Sequence, residues 1–277
     1  MDMEEFVHPD DIADLVPIDK PNAARMYDYC LGGFHSFEVD QQAAEQMLAF
    51  YPDVKQIALA NRAFLRRAVA CMLEQGIDQF LDIGSGLPTV GNVHTMAQEA
   101  NPDARVVYVD IDPVAVEHSK LLLKDNPNAL ALQADAHYPE IILNNPDVRQ
   151  LLDFTRPIGV MFIAVLQFVT DDAKAYHAVR TVRDALVSGS SIAIAHYTNA
   201  QEKVPANIMT KFEDIYNRAA LPIRARSHQE IATFFAGLEL VEPGLVYVPQ
   251  WRPQTSKEIF LNEPERACNF AGVGRKP

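Results

Sequence analysis

The sequence predicts an α/β fold, a mostly parallel sheet with helices on both faces, preceded by a helical segment. Three observations carry this. The apolar run Gln79-Phe80-Leu81-Asp82-Ile83 leads into the turn Gly84-Ser85-Gly86 and then into an apolar helical face at Val90, Val93, Met96, Ala97 and Ala100. The same strand-then-helix alternation recurs over residues 104–122, and a further strand follows at residues 129–133. Each of these three strands carries an acid at or just beyond its end: Asp82, Asp110 and Asp135.

Taken in order, residues 21–31, 38–50 and 54–75 read as helices, the last closing at Gly76. The pair Gly32-Gly33 is costly inside a helix, so it marks either a plain C-cap or a turn with a ligand or backbone close by. Tyr27, Asp28, Gly33 and Phe37 precede the core and can fold over a pocket at the strand ends. Pro88 suits the first turn of the helix after the glycines, which stops near Asn101-Pro102. Asp112-Pro113 opens the next helix, with Asp112 as its cap. A fourth strand covers residues 158–165, a helix residues 171–187 and a fifth strand residues 191–197. A helix at residues 205–219 is inserted after it. Ser227 and Glu230 form a capping box, and residues 238–248 and 269–274 read as closing strands.

The chemistry lies in the glycine turn. In the dinucleotide fingerprint G-x-G-x-x-G the third glycine permits tight helix–strand packing; counted from Gly84, that position is Thr89. Asp82 is a second departure, because a carboxylate there repels a pyrophosphate but suits an ammonium or sulfonium cation. Alone, so short a pattern also fits a bare strand-to-helix turn. Asp110 lies about 20 residues beyond the glycines, where α/β sheets hold a ribose through its hydroxyls. Asp135 alone fits a solvated loop acid.

D-x-G-x-G at Asp82 to Gly86 resembles the S-adenosylmethionine (SAM) motif of Rossmann-like methyltransferases. In the SAM enzymes that the segment around Asp135 resembles, an acid at that place accepts from the adenine amino group. The wider chain resembles an S-adenosyl methyltransferase family long catalogued as a domain of unknown function. The matching passages are Ala24-Arg25-Met26-Tyr27-Asp28-Tyr29 with Leu31-Gly32-Gly33, then Gly86-Leu87-Pro88-Thr89 with Asn92 and His94, then Tyr108-Val109-Asp110-Ile111-Asp112-Pro113. Phe234-Phe235-Ala236-Gly237-Leu238, Trp251-Arg252-Pro253 and Gly272-Val273-Gly274-Arg275 extend the likeness to the C-terminus. The resemblance implies a Rossmann-like class I methyltransferase fold with a seven-stranded sheet, and SAM as cofactor; it implies no particular substrate. Residues 1–76 would form an N-terminal helical lid and residues 77–277 the SAM-binding core, with a helical insertion at about 200–225. Candidate cofactor-binding residues are Asp82, Gly84, Ser85, Gly86, Asp110, Ile111, Asp135, Ala136 and Ala164, with Tyr27 and Gly33 from the lid. Leu166-Gln167-Phe168 departs from many relatives of this fold, which carry histidine after the leucine; glutamine cannot take a proton at neutral pH. Cys30 and Phe34-His35-Ser36 also depart from the usual wording.

Composition narrows the function. A chain of 277 residues with 48% hydrophobic residues can bury one large core. A formal charge of −13 argues against a broad nucleic-acid surface or an anionic membrane as partner. Arg62, Arg66 and Arg67 on one helix, and Arg224 and Arg226 about a turn, read as solvated faces or ion-pair partners. Three scattered cysteines give neither a metal-site spacing nor a disulfide framework. The acidic start lacks the basic-then-apolar order of a signal peptide, and a cytoplasmic location is expected.

Methyl transfer from a sulfonium can draw much of its catalysis from orientation. A general base is needed only where the acceptor keeps its proton; His196 and Tyr197, at the end of the fifth strand, are where one would sit, although packed strand residues fit those positions too. No catalytic residue and no metal ligand is assigned. Three readings are carried forward: a SAM-dependent methyltransferase with a small-molecule acceptor, a non-catalytic SAM-binding regulator, and a nicotinamide-dependent oxidoreductase.

Overall fold

Residues 19–87, 91–198, 205–218 and 222–277 are described by the computed structural model. Pro88, Thr89 and Val90, and the acidic start of the chain, lie outside the described residues.

The sheet is built from β1 (Gln79–Ile83), β2 (Arg105–Asp110), β3 (Ala129–Gln133), β4 (Gly159–Ile163), β5 (Ser191–Tyr197), β6 (Glu239–Leu240), β7 (Val246–Tyr247) and β8 (Asn269–Arg275). Their order is β3-β2-β1-β4-β5-β8-β6, with β7 also on β8. β1 to β5 pair in parallel, and β8 runs antiparallel to β5, β6 and β7. The order reverses between β1 and β4, which opens a crevice beyond the carboxyl ends of those strands. The sheet has eight strands because the edge strand expected over residues 238–248 is cut in two: Pro243 has no N–H to give the ladder, and Gly244 has φ 89°.

Alternation along the strands sends successive side chains to opposite faces. On one face Leu81, Val107, Val160 and Ile192 pack with Ala175, Val179 and Val182 of α8 (Asp172–Ala185). On the other, Phe80, Val106 and Met161 pack with Phe64, Ala68 and Met72 of α3 (Val54–Glu74) and with Val93 and Ala97 of α4 (Val93–Ala100). The two short helices α6 (Pro139–Leu143) and α7 (Pro146–Leu151) between β3 and β4 were not anticipated, though each begins with proline and Asn145 caps α7.

A third apolar cluster sits apart from both faces. It joins Met26 and Cys30 of α1 (Ala23–Leu31) and Met47 of α2 (Glu38–Phe50) to Tyr197, Cys268 and Met209 of α9 (Ala206–Arg218). Asn22 caps α1, its Oδ1 accepting from Ala24 N at 2.8 Å. Arg25 binds Asp40 of α2 at 2.7 Å and lies 3.5 Å from Asp112, tying α1 to the start of α5 (Pro113–Leu122). Asp112 is the N-cap of α5, as its spacing predicts, accepting from Val114 N. The capping box of Ser227 and Glu230 opens α10 (His228–Thr233).

Candidate functional site

A cavity of about 1700 Å³, its open mouth included, lies over the carboxyl ends of the strands and beneath α1, α2, α3 and α9. Asp82, Gly84, Ser85 and Gly86 line it from β1 and its turn, Asp110 and Ile111 from β2, Asp135 and Ala136 from beyond β3, Ala164 from β4 and Tyr27 from α1.

The glycine turn is held from two sides. Gly84 N and Ser85 N both donate to Val109 O, at 2.7 and 3.1 Å. Gly84 has φ 75°, and a Cβ there would collide with Val165, so no other residue fits. Gly86 N donates to Asp110 Oδ2 at 2.7 Å, while Asp110 Oδ1 accepts from Asp112 N at 2.9 Å. Burial raises the Asp110 carboxyl above its ordinary range, against these backbone hydrogen bonds, which favour the anion. Ile111 beside it is 54% exposed, a large apolar surface open to a flat ligand face. Asp135 Oδ1 accepts from His137 N at 2.9 Å, which closes the turn after β3.

Asp82 is buried, and that burial lifts its carboxyl to about 7, although the Arg62 guanidinium pulls it down. A buried acid this close to neutrality is poised to ionise when a cation arrives. Arg62 was expected on a solvated helix face or as an ion-pair partner; it lines the cavity, donating to Leu87 O at 3.3 Å and standing over the Tyr27 ring at 5.6 Å. Its neighbour Asn61, 3% exposed, lines the cavity too. The signal for both was available: Ala58, Asn61, Arg62 and Leu65 recur at helical spacing, so polar residues sit inside an inward stripe. Arg67 is buried as well, but away from the cavity, donating to Trp251 O and Val248 O.

Gly33 stands outside the lining. Its close approach is to the chain itself: Gly33 N donates to Asp28 O, and a Cβ would collide with the Asp28 carboxylate. His196 is fully buried and does not line the cavity. Its Nδ1 lies 2.7 Å from Tyr197 O and its Nε2 2.8 Å from Arg226 Nη1. A carbonyl can only accept and a guanidinium can only donate, so the ring is neutral with both nitrogens engaged. Burial takes its pKa down to about 3. His196 therefore cannot serve as a base, and Arg226 is an internal brace that also donates to Leu166 O and Val169 O. Tyr197 does line the cavity, its hydroxyl donating to Glu213 Oε1 at 3.4 Å. His94 bonds the Tyr108 hydroxyl at 2.8 Å and is structural.

The fourth strand stops at Ile163 rather than running to Val165. Ala164 adopts φ 57°, a left-handed conformation unusual for a residue with a Cβ, and a 3₁₀ turn, Leu166–Phe168, follows. Gln167 lines the cavity from this turn, its Oε1 3.5 Å from Tyr197 N.

These residues fit the cofactor that the sequence resemblance implies. A buried carboxylate at the β2 end, a second at the β1 end and an exposed apolar side chain between β2 and α5 match a ribose, a cationic amino-acid end and a flat base. A search of protein families matches residues 10–277 to the family described as S-adenosyl methyltransferase. Among solved structures, a candidate methyltransferase of Thermobifida fusca YX is 41% identical, with 94% of this chain and 97% of that one covered and a TM-score of 0.86. A DUF574 family protein from Streptomyces avermitilis MA-4680 is 38% identical, with 94% and 100% covered and a TM-score of 0.88. No curated protein matches.

Proposed function

This chain belongs to the S-adenosyl methyltransferase family and is a SAM-dependent methyltransferase, and from that premise we propose that it methylates a small molecule taken into the cavity over its strand ends. Of the three readings open to the sequence, family membership selects methyl transfer. The observation that carries the proposal is the single cavity reaching from the acid-tipped ends of β1, β2 and β3 to the apolar cluster of α1, α2 and α9. One ligand end and one acceptor end share one continuous cavity.

In our reading Asp110 holds the ribose hydroxyls, Asp82 the ammonium group, and Ile111, Asp135 and Ala136 the adenine. Tyr27 and Arg62 close the amino-acid end. Bound SAM supplies a methyl group on a sulfonium whose thioether leaves readily. The chain's own part is to fix the acceptor behind that methyl and to exclude water, which in favourable cases supplies roughly 7–11 kcal/mol of the barrier reduction. The net charge of −13 favours a dissolved small acceptor over nucleic acid, and three buried cysteines outside any disulfide are consistent with a reducing cytoplasm. Among the described residues no helix is long and apolar enough to cross a membrane.

Calorimetry with SAM, its demethylated product S-adenosylhomocysteine and NAD tests this. Tight binding of both sulfur compounds and none of NAD is expected; the reverse pattern would overturn the reading.

A further inference from the structure

The cavity's charged lining residues among those described are Arg62, Asp82, Asp110 and Asp135, all at the cofactor end. The other end lies within the third apolar cluster and has a different surface. Phe168, Tyr216, Phe212 and Tyr197 form a continuous aromatic wall, with ring centroids 5.8 Å apart between Phe168 and Tyr216, 5.1 Å between Tyr216 and Phe212 and 5.5 Å between Phe212 and Tyr197. Much of the remaining lining there is aliphatic or sulfur-bearing, including Met26, Met47, Met209, Cys30 and Cys268, with Tyr51, Gln167 and Asn269 as polar members. Thioether and thiol sulfurs contact ring edges favourably, and ring faces favour stacked or edge contacts.

Polarity narrows the class further. An ionised acceptor would lose its hydration here without gaining a counter-charge. At this end Tyr51 pairs with Cys268 Sγ at 3.0 Å, and Asn269, which lines the cavity beside Tyr197, donates from Nδ2 to Ala267 O at 2.9 Å while its buried Oδ1 has no partner among the described residues. Tyr197 differs in what its hydroxyl donates to: Glu213 is a carboxylate, which can take up a proton as a backbone carbonyl cannot, while the Tyr197 oxygen remains able to accept. Burial raises the Glu213 carboxyl, which makes it a readier home for a proton. A phenol surrenders its proton more easily than an aliphatic alcohol and needs no stronger base than this pair.

We propose that the acceptor is an uncharged hydroxyarene, its ring against the Phe168–Tyr216–Phe212–Tyr197 wall and its hydroxyl donating to Tyr197; this rests on the methyltransferase reading above. The acceptor oxygen forms the new O–CH₃ bond as the S–CH₃ bond breaks, and the broken bond's electron pair stays on sulfur. The acceptor's proton passes to the Tyr197 oxygen while the Tyr197 proton passes to Glu213 Oε1.

The test uses the full chain loaded with S-adenosylhomocysteine and titrated with 2-naphthol, naphthalene-2-carboxylate and 1-decanol. 2-Naphthol should bind at least about tenfold more tightly than either of the others. Phe212→Ala and Tyr216→Ala should each weaken 2-naphthol by about tenfold and leave S-adenosylhomocysteine within about twofold. Tyr197→Phe should keep cofactor binding but slow transfer of labelled methyl from SAM to 2-naphthol by about 100-fold. Equal or tighter binding of the carboxylate or the alkyl alcohol overturns the acceptor class, as does a protein that binds S-adenosylhomocysteine but not 2-naphthol. Unchanged transfer in Tyr197→Phe overturns the proton path. Failure to bind S-adenosylhomocysteine overturns the cofactor reading itself, so the two failures are told apart.

Discussion

The two ends of the cavity are made in different ways. At the β1–β2–β3 end the recognition elements are backbone amides and carboxylates set by strand ends and tight turns: Asp82, Gly84, Gly86 and Asp110 fall within a short stretch and are held by the sheet register. At the other end the walls come from helices and from β5 and β8, and the side chains that meet are remote in sequence. Tyr51 and Cys268, paired at 3.0 Å, stand 217 positions apart. The first end is specified by local geometry and suits an invariant ligand. The second is specified by packing among side chains, which can be exchanged without disturbing the sheet, and suits a ligand that differs between relatives.

The largest test of this contrast is Gly84→Ala. The added Cβ meets Val165 and the positive φ is strained, so thermal unfolding should show a loss of about 2–3 kcal/mol and cofactor binding should fall with it. Next is Asp110→Ala, which should weaken SAM by about 100-fold in calorimetry, since hydrogen bonds to a charged group contribute about 1.5–3 kcal/mol. Unchanged affinity would break the assignment of this end.

A smaller effect follows from Asp82. Its carboxyl, ordinarily ionising at 3.8, is raised to about 7 in the folded chain. The folded state then holds the proton more tightly than the unfolded one. Asp82's contribution to stability is therefore complete below about pH 4 and is lost as pH rises toward 7. A cationic ligand selects the ionised carboxylate, so SAM affinity should rise about tenfold between pH 6 and 8, a dependence that Asp82→Asn removes. The smallest effect is expected for Gln167→His. Gln167 lies by the Tyr197 backbone, outside the acid-tipped end, and S-adenosylhomocysteine affinity should change less than twofold; a larger change would blur the boundary between the two ends.

Legibility followed the same division. The strand ends and their acids could be read directly, because period-two apolar runs, glycine spacing and an acid at each strand tip are local signals. The cap at Asp112 and the capping box at Ser227 were equally local. Arg62 was hidden because a lone arginine on a helix looks solvated until the fold shows which stripe faces inward. His196 stayed open to two readings, a base or a packed strand residue, and only the tertiary packing against Arg226 shows the second, with both nitrogens engaged. Gly33 stayed open because a close approach by Asp28 and a close approach by a ligand demand the same missing side chain.

Asp110 receives N–H groups from two separate loops, Gly86 after β1 and Asp112 after β2. One carboxylate thereby fixes the distance between those loops before any ligand is present. Little reorganisation is left for binding to induce there, so the entropy of ordering is spent during folding rather than at recognition. Replacement by asparagine would turn an amide N–H₂ toward one of these donors and push the loops apart. The side chain proposed to hold the ribose is also the template that casts its mould.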